Sequence, residues 1–61
     1  MTQTEYSRAK FHLSEAAFSF QAAFWDGENA KFHEERAVEY FRTAADTLGF
    51  DLVERKPEGA E

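Results

Sequence analysis

Two histidines, His12 and His33, are the residues that come closest to a metal-ligand pattern. Glu15 follows His12 by three positions, which places both side chains on one face of a helix. Histidine–carboxylate pairs on facing helices hold metal ions in carboxylate bundles, in the order Glu-x-x-His. Here the order is reversed, and Arg36 stands where His33 would need a second acid. The sequence therefore predicts no metal and no cofactor, with both histidines at the boundary of a packed face.

Catalytic motifs are missing from the sequence. The chain has no cysteine, which excludes a thiol nucleophile and thiolate metal sites. It contains neither a glycine-rich phosphate loop nor a nucleophile elbow. A chain of 61 residues also leaves little room for an enclosed pocket of about 300 Å³ or more. We therefore expect a protein that is not an enzyme.

Four acids on one helical line form what we call the acidic row. Their spacings of 7, 4 and 7 residues place them along about 27 Å of helix at 1.5 Å per residue. Such a row could imitate a phosphate backbone and dock on a nucleic-acid-handling complex, as a mobile-element inhibitor of the anti-CRISPR or anti-restriction type would. Lys31, Arg36 and Arg42 interleave and should neutralise part of it, so a solvated outer face is the alternative. The acidic row consists of Glu28, Glu35, Glu39 and Asp46.

Local start and stop signals predict two helices that would carry these residues. Thr2 and Glu5 have the spacing of a capping box, and neither glycine nor proline follows before Trp25. The turn that comes next contains Gly27, which can take the left-handed conformation that ends a helix. In the same turn Asp26 or Asn29 can cap the following helix. Farther on, Gly49 followed by apolar Phe50 is typical of a Schellman stop.

These signals predict an all-α fold, an antiparallel two-helix hairpin over about residues 4–25 and 29–48. One continuous helix through the turn is the rival, because a glycine inside a helix costs only about 1 kcal/mol. Residues 50–55 are expected to form a short extended tail. We expect one domain over residues 1–56 and a flexible polar tail over residues 57–61.

The stretch Ala-Lys-Phe-His occurs twice, at residues 9–12 and 30–33. Aligning residues 9–23 with residues 30–44 gives seven identities in 15 positions, where average usage would give about one. Duplication of one helix explains this match. Convergence of two helices on the same alanine–phenylalanine heptad is the alternative.

Helix periodicity separates two apolar stripes on the first helix. The first stripe alternates large and small residues at heptad spacing and is expected to pack against the second helix. Its members are Tyr6, Ala9, Leu13, Ala16, Phe20 and Ala23. Leu13 and Phe20, with Phe41 and Leu48 of the second helix, would then form the core. The second set lies on nearly the opposite side, and we call it the aromatic stripe: Phe11, Phe18, Ala22, Trp25 and, near the turn, Phe32.

The aromatic stripe carries the functional prediction, because a two-helix hairpin has only one inner face. Exposed rows of aromatic residues usually mark an interface, so we expect a homodimer in which two hairpins form an antiparallel four-helix bundle. Contact with another protein is one alternative, and cover by the tail is the other, with Phe50, Leu52 and Val53 reaching back to Phe11. The predicted function is a small non-enzymatic protein–protein interaction module that self-associates.

Composition limits the other partners. The net charge is −5, whereas direct binding of nucleic acid or of an anionic membrane surface calls for clustered Lys and Arg. No apolar run approaches the roughly 18 residues that a bilayer span needs, and the polar start of the chain lacks a signal-peptide core. We therefore expect no direct nucleic-acid partner, no membrane partner and a cytoplasmic location.

Overall fold

A computed structural model describes residues 1–55 of the chain as two helices, α1 (Gln3–Trp25) and α2 (Ala30–Leu48). A turn of 3-10 helix, Gly27–Asn29, joins them. The shortest extent of the Cα trace is 11 Å, so the helices lie side by side in one layer. The all-α hairpin is confirmed, and each helix begins within one residue of its predicted start. The predicted polar tail over residues 57–61 lies outside the described residues.

The capping box that was predicted at the start of α1 is present. The backbone N–H of Glu5 donates to Oγ1 of Thr2 at 3.1 Å, and the backbone N–H of Thr2 donates to Oε1 of Glu5 at 2.8 Å. These two bonds satisfy donors that the first turn of a helix leaves without partners. The bond from the Thr2 backbone is also the main reason that the pKa of Glu5 lies below its usual range.

The predicted Schellman motif closes α2. Gly49 has a φ of 88°, in the left-handed region where a side chain would be strained. Its N–H donates to the carbonyl of Asp46 at 3.1 Å, and the N–H of Phe50 donates to the carbonyl of Ala45 at 2.8 Å. This is the pair of bonds that defines the motif. The chain therefore turns away from the α2 axis at Gly49.

The turn between the helices differs from its prediction in two ways. Gly27 is not left-handed, since Gly49 is the one positive-φ residue that the structure describes. Neither Asp26 nor Asn29 caps the following helix with its side chain. Instead, the N–H of Asn29 donates to the carbonyl of Asp26 at 3.0 Å. The 3-10 turn keeps the backbone in right-handed space, so no left-handed residue is needed, and the Asp26 carboxylate is left for other partners.

Small residues form the seam between α1 and α2. The buried residues are Ala9, Ala16, Ser19, Ala37, Ala44 and Ala45. Ala9 and Ala16 are seven positions apart on α1, and Ala37 and Ala44 are seven apart on α2. Alanines at such positions let two helices approach closely, because the interaxial distance depends on the side chains at the contact. In the alignment of residues 9–23 with residues 30–44, Ala16 is equivalent to Ala37, and both are buried in the seam.

The prediction that Leu13, Phe20, Phe41 and Leu48 form the core of the hairpin is wrong. Leu13 is 40% exposed, Phe20 is 49% exposed and Phe41 is 43% exposed, and Leu48 is only half-buried. The small members of the first stripe face α2, and at 100° per residue the large members then lie on the flank of the seam. Within residues 1–55, no large side chain is fully buried.

Candidate interaction surfaces

One flat side of the hairpin, which we call the apolar face, carries large apolar side chains from both helices. A shallow depression near the turn is lined by Phe20 and Phe24 of α1 together with Val38 of α2. A second depression, at the other end, is lined by Tyr6 and Leu13 of α1 together with Leu48 of α2. Helical spacing places Phe41 between Val38 and Leu48 on the same side. The apolar face consists of Tyr6, Leu13, Phe20, Phe24, Val38, Phe41 and Leu48.

The α1 members of the predicted aromatic stripe lie away from this face, whereas Phe32 lines a groove on α2 together with Val38. Phe18 is 69% exposed and Trp25 is 74% exposed, and Phe11 and Phe32 are exposed as well. Ala22 is half-buried. Phe11, Phe18 and Trp25 follow one another at intervals of seven along α1, so they form one line on its outer side. The structure therefore presents two aromatic surfaces on different sides of α1, and only the aromatic stripe was expected to be exposed.

The two aromatic surfaces meet at the turn. The rings of Phe24 and Trp25 pack edge to face, with centroids 5.3 Å apart and planes at 86°. Phe24 belongs to the apolar face and Trp25 belongs to the aromatic stripe. Large apolar surface thus continues around the end of α1 from one side of the hairpin to the other.

The tail was one candidate to cover the aromatic stripe, and in the described residues it lies beside α2. Glu54 lines a groove together with α2 side chains that include Phe32, Val38 and Arg42. Phe50 and Val53 are themselves exposed. As far as residue 55, the tail leaves the α1 part of the stripe open to solvent.

All four members of the acidic row are exposed. Lys31, Arg36 and Arg42 were expected to neutralise part of the row by pairing with it. Within residues 1–55, none of these cations lies within 4.0 Å of a carboxylate, since the one contact of salt-bridge length there joins Asp26 and His33. The interleaved cations therefore act on the row through solvent, where screening is strong.

The two histidines occupy equivalent positions of the repeat but have different polar partners. His12 donates from Nδ1 to the carbonyl of Arg8 at 2.9 Å, and its ring lies 6.1 Å from that of Tyr40 on α2. His33 binds Oδ2 of Asp26 through Nε2 at 3.1 Å. Each imidazole is half-buried and packs edge-on against the phenylalanine before it in the chain. The part of the chain that the structure describes holds no group of three or more metal-ligating side chains.

Asp26 is the centre of a small polar cluster at the turn. Its Oδ2 accepts from Nδ2 of Asn29 at 3.0 Å and from Nε2 of His33. The Asn29 bond, followed by the His33 bond, holds the pKa of the Asp26 carboxyl below its usual range, because both bonds favour the charged form. Asp26 was expected only as a cap, although its spacing of seven from His33 was a signal for this pair.

Comparison with protein-family models, with curated proteins and with solved structures gave no match to this chain. Neither helix within residues 1–55 is long and apolar enough to cross a membrane. The two aromatic surfaces and the acidic row are the surface features that could contact a partner.

Proposed function

We propose that this chain is a small non-enzymatic protein–protein interaction module that self-associates, with two hairpins packing their apolar faces together as an antiparallel four-helix homodimer. The observation that carries this proposal is the lack of any fully buried large side chain in residues 1–55. A domain near 60 residues hides only about 60% of the surface of its unfolded chain. A seam of alanines leaves a single hairpin with still less buried apolar surface, because small side chains bury little apolar area.

The area of the apolar face suits a second copy. At roughly 200 Å² for each ring, the exposed parts of Tyr6, Phe20, Phe24 and Phe41 amount to about 450 Å² in one copy. The leucines, Val38 and a polar rim bring the face toward the roughly 800 Å² per partner of a standard interface. Burying the rings of both copies is worth up to roughly 20 kcal/mol at 25 cal/mol per Å², which exceeds the cost of association, about 4–15 kcal/mol.

The apolar face is a better dimer surface than the aromatic stripe that the sequence analysis favoured. It draws side chains from both helices and continues across the seam, whereas Phe11, Phe18 and Trp25 lie on one side of α1 alone. In a dimer that is closed through the apolar face, the outer side of α1 stays at the surface. The aromatic stripe then remains a predicted contact surface for a different protein.

Two matched variants test this assignment. Phe20→Asp places a charge in the centre of the apolar face, and Phe18→Asp places the same charge in the aromatic stripe. We expect Phe20→Asp to convert a dimer into monomers and Phe18→Asp to leave the mass unchanged, as measured by sedimentation equilibrium. The opposite pattern would assign self-association to the aromatic stripe. Two unchanged masses would contradict both assignments.

The acidic row, which pairs with no cation among residues 1–55, supports a second candidate function, an inhibitor of the mobile-element type that docks on a nucleic-acid-handling complex. Exposed carboxylates without bound cations keep their charge available to a basic groove. Such docking would weaken at moderate salt and would be lost in the double variant Glu35→Lys with Glu39→Lys. Binding that survives both changes and instead depends on Trp25 would favour the aromatic stripe as the docking surface.

A further inference from the structure

The apolar face carries a projecting ring beside the depression near the turn and a second depression at the other end. Near the turn, Phe24 is 80% exposed, so most of its ring projects from the face. At the opposite end, Tyr6, Leu13, Ala17 and Leu48 line the depression described above. Leu13 and Phe24 are eleven residues apart on α1, or about 16 Å at 1.5 Å per residue. One copy therefore holds both halves of a knob-into-hole contact, too far apart to meet within that copy.

A two-fold axis across the helices brings these halves together. It sets the α1 helices of two copies against each other in opposite directions, so that Phe24 of each copy lies over Leu13 of the other. The same symmetry places Ala17 of each copy over Phe20 of the other, a small residue against a large one. A self-complementary patch of this kind is what an isologous interface requires.

Charge at the rim favours the same arrangement. Lys10 lines the depression at one end of the face, and Glu34 lies beside Phe24 at the other end. Antiparallel packing of the α1 helices brings the Lys10 end of one copy to the Glu34 end of the other. An axis parallel to the helices would instead gather both Glu34 side chains at one end, and like charges across an interface cost affinity.

We infer that the two copies pack with Phe24 of each filling the depression lined by Tyr6, Leu13, Ala17 and Leu48 of the other. The inference rests on the proposed self-association and adds its register. It specifies which residues meet at the axis, and it makes Phe24 the anchor of the interface. Aromatic anchors in pockets of the partner carry a large share of binding energy at such interfaces.

Cysteine cross-linking reads this register directly, because the chain has no native cysteine. Two copies of Ala17 would be offset by three residues across the axis, about 4.5 Å along the helix. With helix axes about 8–10 Å apart and Cα atoms about 2.3 Å from each axis, the two Cα atoms would lie about 6–7 Å apart. We expect the Ala17→Cys variant to form a disulfide-linked dimer in a mild oxidising buffer, since Cα atoms within about 7 Å can be bridged. Gln21→Cys, exposed and off the apolar face, is the matched control and should stay largely unlinked.

A swap of side chains tests the knob itself. Phe24→Leu and Leu13→Phe should each raise the dimer dissociation constant by at least about 10-fold, because each leaves a misfit at two symmetric positions. The double variant exchanges the two partners and should return to within a few-fold of the parent. Circular dichroism spectra would be recorded to check that each variant remains helical.

The possible outcomes separate the register from the proposed function. A dimeric chain in which Ala17→Cys fails to link, or in which the swap fails to rescue, overturns the register and leaves self-association standing. A chain that stays monomeric in sedimentation overturns both, and the apolar face would then belong to another protein.

Discussion

Nε2 of His33 lies 3.1 Å from Oδ2 of Asp26, and this contact ties the first turns of α2 to the residue that ends α1. The same oxygen accepts from Asn29. Three side chains therefore close the turn without any contribution from a left-handed glycine. The pair lies beside the aromatic residues at the turn, so it also fixes the end of the hairpin from which Phe24 projects.

This cluster predicts a loss of stability in acid. The folded-state pKa of Asp26 lies below its ordinary value of 3.8. The stability that the ionised Asp26 carboxylate adds to the fold is therefore fully present at pH values above its ordinary pKa. It is lost as the pH falls through the folded-state pKa. Asp26→Asn should lower the melting temperature at pH 7 and flatten its fall between about pH 5 and pH 2. Circular dichroism measures the melting temperature of parent and variant at each pH. If both melting temperatures fall by the same amount, the cluster contributes nothing to stability.

The alanine seam predicts a sharp difference between two leucine substitutions on α2. Ala37 is fully buried, so Ala37→Leu forces the helices apart and should destabilise the fold by about 1–3 kcal/mol. Glu35 is exposed and leucine is a good helix former, so Glu35→Leu should have little effect. Urea unfolding measures both free energies. Equal values would mean that the helices do not meet along this line.

Gly27 precedes α2 and Gly49 follows it. Replacing each of them with alanine should have different effects on the stability of the fold. A Cβ on either glycine would meet no atom within 4 Å, so only backbone conformation separates them. Gly49 has positive φ, and Gly49→Ala should cost about 1 kcal/mol. Gly27 does not have a positive φ. The variant Gly27→Ala should therefore be neutral or should stabilise the fold by up to about 1 kcal/mol. Thermal unfolding decides the matter, and a reversed order would contradict the turn described here.

Charge reversal in the acidic row should abolish binding of a partner to this row without changing the stability of the fold. Glu35 and Glu39 are exposed and have no cation within 4.0 Å in the described part of the chain. Reversing both charges to lysine should leave the mass unchanged and the melting temperature within about 3 °C. The same variant should lose any partner that is held by this row. A collapse of the fold would mean that the carboxylates have a structural role.

The helix boundaries could be predicted from the sequence because their signals are local. The capping box at Thr2 and the stop at Gly49 each involve residues within one or two turns, and both are present as expected. The backbone conformation of Gly27 was harder to predict, because glycine also fits a 3-10 turn with right-handed backbone angles. There the Asp26 carboxylate binds His33, seven residues away, as well as the nearby Asn29, so the turn depends on a contact beyond its own residues.

The division of apolar residues between seam and surface could not be predicted in the same way. Ala16 and Phe20 belong to one heptad stripe, and periodicity places both toward α2. Only the distance between the helix axes decides which of them is buried, and that distance is a tertiary property. The alanines allow a close approach, and the rings are then displaced to the flat side. The exposed apolar face follows from that displacement.

The mass of the chain in solution shows whether two hairpins associate. We predict that sedimentation equilibrium at micromolar concentration gives twice the 7.0 kDa of one chain, and that dilution lowers mass and helicity together. A stable 7.0 kDa species that unfolds cooperatively and independently of concentration would contradict the account. The hairpin would then be complete without a second copy.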